Sequence, residues 1–177
     1  MTLEKLQHKE QLLLRAPEPT DVTQLTAFEN EEEFRHLGVA TSFYSRHQIL
    51  TYIQASQNDL FVDGSLRWVI EDSKNGQIVG TVDLIDYHLR HNRAEIGIAL
   101  LPAYRGRGIA RWAVESLETY AFSFLGIETL YAQVLEDNVE AICLFRTCGY
   151  AQVGVLKHWF RIGKTYKDIV VFQKINS

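Results

Sequence analysis

One stretch of this chain constrains its fold more than any other, because a strand, a proline, a glycine–arginine loop and an amphipathic helix follow in direct succession. The strand is predicted at "RAEIGIALL" (93–101), whose continuous apolar run "IGIALL" is typical of a central strand buried on both faces. Pro102 ends that strand, and the loop "YRGRGIAR" (104–111) follows. From Gly108 a helix is predicted, because apolar residues recur on one face at helical spacing as far as Phe124. A strand–loop–helix unit of this kind places its ligand at the carboxyl end of the strand, against the helix N-terminus.

The rest of the chain alternates strand and helix signals without a linker, a repeat or a low-complexity tract. Asn-Gly at 75–76 predicts a hairpin, and the spacing Ser45–Gln48 is typical of a capping box that opens a helix. The spacing Asp137–Glu140 predicts a second capping box in the same way. The predicted order is β-α-α-β-β-β-α-β-α-β-β, which describes one mixed α/β domain over residues 1–177. The other strands are predicted at 12–17, 66–72, 77–87, 128–135, 152–160 and 165–173, and the first helix opens at Pro19 and Thr20.

Composition limits what the chain is expected to bind. Its net charge of −4 and its pI of about 5.9 give no general attraction to nucleic acid. The apolar runs are much shorter than the roughly 20 residues of a membrane span, and the N-terminus lacks a secretory pattern. We therefore expect a cytoplasmic protein with no membrane partner. His88 and His91 have a spacing that could suggest a metal site, but they have no acidic or cysteine partner, so no metal is expected.

The loop at 104–111 is expected to bind an anion. The first turn of a helix has unpaired N–H groups and a partial positive charge. The amides of residues 105–110 can surround one pyrophosphate, while the arginines of the loop add charge. The alternative is that the glycines only turn the chain and the arginines are solvated. A P-loop is excluded because the stretch 104–111 contains no lysine, serine or threonine. A dinucleotide fingerprint is excluded because Arg111 stands where a third glycine is needed.

Two motifs carry a family resemblance. Arg105-x-x-Gly108-x-Ala110 and the segment "DNVEAICLFRTCGY" (137–150) are similar to the Arg/Gln-x-x-Gly-x-Gly/Ala and Asn-x-x-Ala-x-x-x-Tyr-x-x-x-Gly-Phe/Tyr motifs of the GNAT superfamily of acyl-CoA-dependent N-acetyltransferases. Within that superfamily the chain looks most similar to the spermidine N-acetyltransferases, with the ribosomal-protein N-terminal acetyltransferases nearby. The resemblance implies an α/β single-domain GNAT fold. Its mixed, mostly antiparallel sheet would have about seven strands and a central splay, with about four helices around it.

The resemblance also implies acetyl-CoA as the cosubstrate, with its pyrophosphate in the loop. Residues 98–100 match the strand whose backbone pairs with the pantetheine arm, and Asn138 matches the wall beside the thioester. The strands at 93–101 and 128–135 are expected to splay where cofactor and amine meet. The implied cofactor-binding residues are Ile98, Ala99, Leu100, Arg105, Gly106, Arg107, Gly108, Ile109, Ala110, Arg111, Asn138 and Phe145.

Acetyl transfer to an amine needs a proton acceptor, and Glu95 is the candidate by position. Its carboxylate interrupts an otherwise apolar strand, and the analogous glutamate acts as base or water-organiser in several family members. A lysine-like amine has a pKa near 10.4, so its neutralisation at pH 7 costs about 4.6 kcal/mol. The alternative is that Glu95 pairs with a neighbour such as Arg93 or Arg90 at the sheet surface.

Phe145 departs from the family pattern. Its place usually belongs to a tyrosine that protonates the departing CoA thiolate, and phenylalanine cannot donate a proton. With a thiol pKa near 8.5, unassisted departure at pH 7 costs about 2 kcal/mol, or near thirtyfold in rate. The substitution therefore slows the reaction without forbidding it.

The expected acceptor site is acidic. Glu29, Glu31, Glu32 and Glu33 follow the first predicted helix, at whose C-terminus they oppose the macrodipole, a cost that cation binding could justify. In the spermidine enzymes, acidic residues in this region receive the polyamine. However, residues 35–45 contain no carboxylate, whereas the spermidine enzymes carry further acidic residues there, which weakens the assignment to a polyamine. The alternative interpretation of the four glutamates is a solvated acidic turn.

The expected function is acetyl transfer from acetyl-CoA to a primary amine, with a polyamine or a similar small cationic amine as the leading acceptor. One alternative is acetylation of a protein N-terminus of the ribosomal-protein type. Another, motivated by Phe145, is a non-catalytic acyl-CoA-binding module. The expected partners are a small-molecule amine and, as an open alternative to a monomer, further copies of the chain in a homodimer or a higher homo-oligomer.

Overall fold

The computed structural model describes residues 8–35 and 42–176, and residues 36–41 of the carboxylate-free segment lie outside them. Within the described residues every strand belongs to one sheet. The strands are β1 (His8–Lys9), β2 (Leu12–Arg15), β3 (Leu66–Asp72), β4 (Gln77–His88), β5 (Arg93–Leu100), β6 (Thr129–Leu135), β7 (Ala151–Ile162) and β8 (Thr165–Ile175).

The strand order is mixed but mostly antiparallel. Across the described residues it is β1-β2-β3-β4-β5-β6-β8-β7. All neighbouring pairs are antiparallel except β5 and β6, which run parallel. Because β1 has only two residues, seven strands have ordinary length, and the predicted sheet is confirmed.

Helices cover both faces of this sheet. In the described part of the chain they are α1 (Val22–Glu29), α2 (Glu32–Arg35), α3 (Arg46–Ala55), α4 (Leu60–Asp63), α5 (Ile109–Ser123) and α6 (Val139–Thr147). Four have eight or more residues, as predicted, whereas α2 and α4 are single turns, too short to show a periodicity. None of the described helices is long and apolar enough to cross a membrane.

The helix caps show one confirmed prediction and one wrong one. At α3, Ser45 Oγ accepts from the Gln48 N–H and the Gln48 side chain accepts from the Ser45 N–H, which confirms that capping box. At α6 the cap is Asn138, whose Oδ1 accepts a main-chain hydrogen bond at 3.0 Å from the first turn. The predicted box at Asp137 is therefore wrong. Asp137 instead forms an ion pair with Lys167 of β8, a long-range contact that the local pattern cannot show.

Two apolar cores lie on opposite faces of the sheet. One contains the buried side of α5 together with Trp68. In the other, Leu25 of α1 and Ile49 of α3 pack near Val69. Successive strand residues such as Trp68 and Val69 point to opposite faces, which assigns α5 to one face and α1 with α3 to the other. Phe124, predicted on the buried side of α5, is 64% exposed because it lies beyond the last helical turn.

The strands β5 and β6 are paired only at their beginnings. Three residue pairs join them, and the last is Glu95 opposite Tyr131. Beyond this point β5 continues to Leu100 and β6 to Leu135 without pairing to each other. This divergence is the predicted central splay, and we call its origin at Glu95 and Tyr131 the fork.

The expectation that the central strand is buried on both faces is wrong. Ala94, Ile96 and Leu100 are buried, but Gly97 and Ala99 on the α1 and α3 side of β5 are only half-buried. The sequence of β5 is still continuously apolar, because the half-buried positions carry the small residues Gly97 and Ala99. The open face of β5 therefore lies directly beyond the fork.

Candidate functional site

The glycine–arginine loop lies where the strand–loop–helix unit predicts, between the end of β5 and the start of α5. Gly106 and Gly108 have left-handed φ angles of +70° and +73°, which residues with a Cβ rarely adopt. Within the described residues, the main-chain N–H groups of 106–111 donate to no acceptor. The prediction is wrong for the Arg105 N–H, which donates to the Pro102 carbonyl at 3.2 Å. The loop therefore presents consecutive free donors at a helix N-terminus, an arrangement that binds anions.

Arg105 connects this loop to the acidic segment. Its Nη1 donates to Glu33 Oε1 at 2.7 Å. Its Nε and Nη2 donate to the Leu100 carbonyl at 3.1 and 3.0 Å, which holds the loop against the end of β5. A residue predicted for the cofactor is thus bonded to a residue predicted for the amine.

The other cations of the loop are less restrained. Arg111 Nε donates to Glu115 Oε1 at 2.7 Å on the exposed surface of α5. The Arg107 guanidinium lies 5.5 Å from the centroid of the Tyr104 ring. Lys9 of β1 donates to the Gly108 carbonyl at 3.3 Å. Lys9 was not predicted, because no local pattern links it to a loop so distant in sequence.

The residues predicted to face pantetheine lie on the free edge of β5. Residues 98–100 pair with β4 on one side, and no strand in the described part of the chain pairs with them on the β6 side. Ile98 and Ala99 are half-buried, whereas Leu100 is buried. An extended ligand could pair with this edge as a strand does, which is the property that the prediction requires.

Glu95 lies at the fork, half-buried, without a cationic partner among the described residues. Its Oε2 accepts a hydrogen bond from Gln133 Nε2 at 3.1 Å. Burial raises the pKa of Glu95, an effect that the Gln133 hydrogen bond partly opposes. Arg93, considered as a partner from the sequence, instead lies 5.6 Å from the centroid of the Tyr131 ring. A half-buried carboxylate of raised pKa is suited to accept a proton from a neighbouring group.

The other groups at the fork were missed by the sequence reasoning. The Tyr131 hydroxyl donates to Asp86 Oδ2 at 2.6 Å. Burial raises the pKa of Tyr131, and the hydrogen bond to the Asp86 carboxylate raises it further. Tyr131 and Gln133 alternate with buried residues along β6, so the period of two places both on one face. This alternation can be read from the sequence. The position of Tyr131 and Gln133 beside Glu95, however, depends on the register between β5 and β6, which the sequence does not reveal.

Phe145 and Asn138 have structural contacts within the described residues. Phe145 is buried, with its ring centroid 5.2 Å from that of Tyr150 in an edge-on arrangement and 6.1 Å from that of Phe172. The Asn138 side chain caps α6. Phe145 lies on α6, the helix that follows β6, and Asn138 lies directly before it. Their predicted contacts with the cofactor stay predictions.

The four acidic residues do not form one cluster. Glu29 ends α1 and accepts from Arg67, whereas Glu33 accepts from Arg105. Glu31 and Glu32 are exposed and have no partner in the described residues. Glu32 and Glu33 lie at the N-terminus of α2, where negative charges interact favourably with the helix dipole. The predicted opposition to a macrodipole therefore applies only to Glu29, at the C-terminus of α1.

A cavity of about 280 Å³ opens between α3, the end of α1 and the adjoining face of β3 and β4. Its lining includes Asp83 and Ile85 of β4. In the register of β4 with β5, these two residues lie opposite Gly97 and Glu95. The cavity therefore ends one strand away from the fork, a separation of about 4.8 Å between strands.

Arg67 lies in this cavity between two carboxylates. Its Nε and Nη2 donate to the two oxygens of Asp83 at 2.8 and 3.1 Å, and its Nη1 donates to Glu29 Oε1 at 2.6 Å. Burial alone would lower the pKa of Arg67, but the Asp83 and Glu29 carboxylates raise it well above its usual value. Arg67 and Asp83 are charged residues inside apolar strands, a signal that could have identified this site.

His88 and His91 stack with ring centroids 4.3 Å apart. Among the described residues, no group of three or more histidine, cysteine, aspartate or glutamate side chains is placed to hold a metal ion.

Comparison with known proteins begins with sequence. A family model described as acetyltransferase (GNAT) domain matches residues 11–151. The spermidine N(1)-acetyltransferase of Vibrio cholerae is 32% identical over 103 residues, which cover 58% of this chain and 59% of that enzyme. The Escherichia coli K12 enzyme of the same name is 34% identical over 104 residues, covering 59% of this chain and 55% of that enzyme. The match thus spans less than two thirds of the length of either relative.

Solved structures extend the likeness over nearly the whole chain. The Vibrio cholerae spermidine N-acetyltransferase in complex with CoA and spermine has a TM-score of 0.83 at 25% identity, with 95% of this chain and 97% of that chain covered. A dodecameric form of the same enzyme has a TM-score of 0.74 at 26% identity, with 96% of each chain covered. The ribosomal-protein-S5-alanine acetyltransferase of Vibrio fischeri has a TM-score of 0.85 at 18% identity over 96% of each chain, which shows a shared fold alone.

Proposed function

Because the chain belongs to the GNAT acetyltransferase domain family, as its motifs predicted, we propose that it transfers acetyl from acetyl-CoA to the primary amine of a polyamine or a similar small cationic amine. The observation that carries this proposal is that one strand, β5, joins the fork at Glu95 to the run of free main-chain donors at 106–111 that follows its far end. The spermidine acetyltransferases among the relatives support the class of acceptor.

The loop has the properties that a diphosphate requires. Its free amides would bind the anion directly, and Arg107, Arg111 and Lys9 would add charge at the rim. The half-exposed edge of β5 would hold the extended arm that leads from the loop to the fork. Acetyl-CoA supplies the acetyl group as a thioester, and the predicted cofactor set is retained with Lys9 added.

The amine would approach from the cavity on the other side of β5. Glu95 accepts the proton that the amine loses as the new C–N bond forms, while the C–S bond breaks and the thiolate leaves. Free N–H groups along the edge of β5 would polarise the carbonyl oxygen. Phe145 contributes no proton, so the thiolate departs without an acid from that position.

We also propose that the chain assembles with copies of itself. The dodecameric form of the Vibrio cholerae relative supports this, because its fold matches over 96% of both chains. Light scattering on the purified chain measures the assembly directly.

Thiol release from acetyl-CoA tests the function. The full chain is expected to release CoA thiol when spermidine or 1,4-diaminobutane is present and not in buffer alone. An N-terminal alanine peptide in the same panel tests the second acceptor class. Faster turnover of the peptide than of every small amine would replace the proposal by protein N-terminal acetylation. CoA binding by calorimetry without any turnover would indicate an acyl-CoA-binding module.

Replacing Glu33 with glutamine is expected to lower the Kd of CoA by about two- to fivefold, the range expected for loss of a partly exposed ion pair. The reason is that Glu33 engages an Arg105 nitrogen that would otherwise face the anion. Glu31→Gln is the matched control, because it removes the same charge from the same segment without a contact to Arg105. Isothermal titration with CoA measures both, and equal effects would assign the change to net charge instead of the pair.

A further inference from the structure

The cavity that leads to the fork already contains a cation of its own. Both oxygens of Asp83 accept hydrogen bonds from Arg67. One oxygen of Glu29 accepts from the same guanidinium. Among the described lining residues, two carboxylates and one guanidinium give the cavity a single net negative charge.

One anionic oxygen remains for a ligand. Glu29 Oε2 accepts no hydrogen bond within the described residues. Glu29 lies at the C-terminus of α1, where the helix dipole also favours a cation. A single ammonium group placed there would neutralise the cavity.

Among the described residues, the rest of the lining carries no further charge. It consists of aromatic, aliphatic and neutral polar side chains, among them Tyr44, Tyr52, Ile49 and Leu66. The Tyr52 ring lies under the Arg67 guanidinium, 5.7 Å from its centre, so that aromatic face is already used by a cation. A second or third ammonium group in this cavity would lose water without gaining a carboxylate, which is unfavourable.

We infer that Arg67 sets the acceptor specificity by occupying Asp83, so that the cavity favours amines with one cationic group beyond the amine that is acetylated, a conclusion that rests on the proposed acetyl transfer. Short diamines have this charge, whereas spermidine and spermine carry one and two more. Arg67 acts on specificity through the two carboxylates and takes no part in the bond changes at the fork.

The native chain is tested first with a series of amines that share the reacting group. The kcat/KM for 1,4-diaminobutane is expected to exceed that for spermidine and spermine. Butylamine, which lacks the second ammonium group, is expected to be about tenfold worse than 1,4-diaminobutane because Glu29 is left without a ligand. If no amine releases thiol, the proposed function fails. If thiol is released but spermidine or spermine is preferred to 1,4-diaminobutane, only the specificity inference fails.

Arg67→Gln then changes the charge of the cavity. The kcat/KM ratio of spermine to 1,4-diaminobutane is expected to rise about tenfold or more, because Asp83 becomes available to a second ammonium group. Arg67→Gln combined with Glu29→Gln restores one net negative charge and should return the ratio towards its native value. An unchanged ratio in an active, folded Arg67→Gln protein would overturn the inference.

The two freed carboxylates repel each other, so Arg67→Gln could fail to fold. Glu29→Gln alone then provides the test, because it keeps the Arg67–Asp83 pair and removes the remaining anionic oxygen. The advantage of 1,4-diaminobutane over butylamine is expected to disappear in this variant, and its persistence would also overturn the inference. Thermal melting of each variant shows that the folded protein was compared.

Discussion

Replacing Glu95 with glutamine is expected to lower kcat for amine acetylation by about 10²-fold or more while the fold is retained. Glutamine keeps the size of the side chain, and its carbonyl oxygen can still accept from Gln133, as Glu95 Oε2 does at 3.1 Å. It cannot accept the proton of the amine. Because Glu95 has no cationic partner in the described residues, the substitution leaves no opposite charge unpaired, and the melting temperature should be unchanged or higher.

The pH profile identifies the reason for that loss. Burial raises the pKa of Glu95 above its usual value, so the active carboxylate form is lost as the pH falls through that raised pKa. Because the free amine also becomes scarcer at low pH, the slope of log kcat/KM should change from about two to about one as the pH rises through the pKa of Glu95. The Glu95→Gln protein should show a slope of about one throughout that range.

A control separates the base from a general loss of charge. Glu128→Gln removes an exposed carboxylate just before β6, away from the cavity, and should leave both kcat and the profile unchanged. A Glu95→Gln protein that is slow but keeps the change of slope would mean that another group accepts the proton and that Glu95 only positions the amine. Native activity in that variant would exclude both roles.

The loop and its flanking elements could be predicted because their signals are local. The proline after an apolar strand, the two glycines and the helical period of α5 lie within one continuous stretch, and the structure places them as expected. The caps show the limit of such signals. Ser45 and Gln48 satisfy each other, whereas Asp137 is engaged by Lys167 from another strand, and the cap moves to Asn138.

The amine side of the site could not be predicted because its contacts are long-range. The sequence predicts one acidic surface, but Glu29 pairs with Arg67 and Glu33 with Arg105, which lie 38 and 72 residues away along the chain. The open face of β5 has a similar origin. Its apolar sequence predicts burial on both faces, whereas Gly97 and Ala99, beyond the point where β6 stops pairing with β5, are only half-buried.

Gly80→Ala is expected to lower the free energy of unfolding by about 2–3 kcal/mol. Gly80 lies on β4 opposite Leu100. A Cβ at this position would lie 2.4 Å from the Ala99 carbonyl oxygen and 2.5 Å from Leu100 Cδ2. The carbonyl oxygen belongs to the main chain and cannot rotate away, so β5 itself must move. Chemical denaturation of the native and variant proteins measures the change.

Gly97→Ala on β5 is the matched control, because an added Cβ there meets no atom of the described residues within 4 Å. Its effect on unfolding should stay within about 0.5 kcal/mol. The displacement at Gly80 should also reach the loop. Arg105 holds the Leu100 carbonyl through two nitrogens, so a shift of β5 at 99–100 moves the anchor of the free amides. Gly80→Ala should therefore raise the Kd of CoA, measured by calorimetry at a temperature where the variant is folded. A less stable protein with unchanged CoA affinity would place the binding site away from the end of β5, whatever the other variants show.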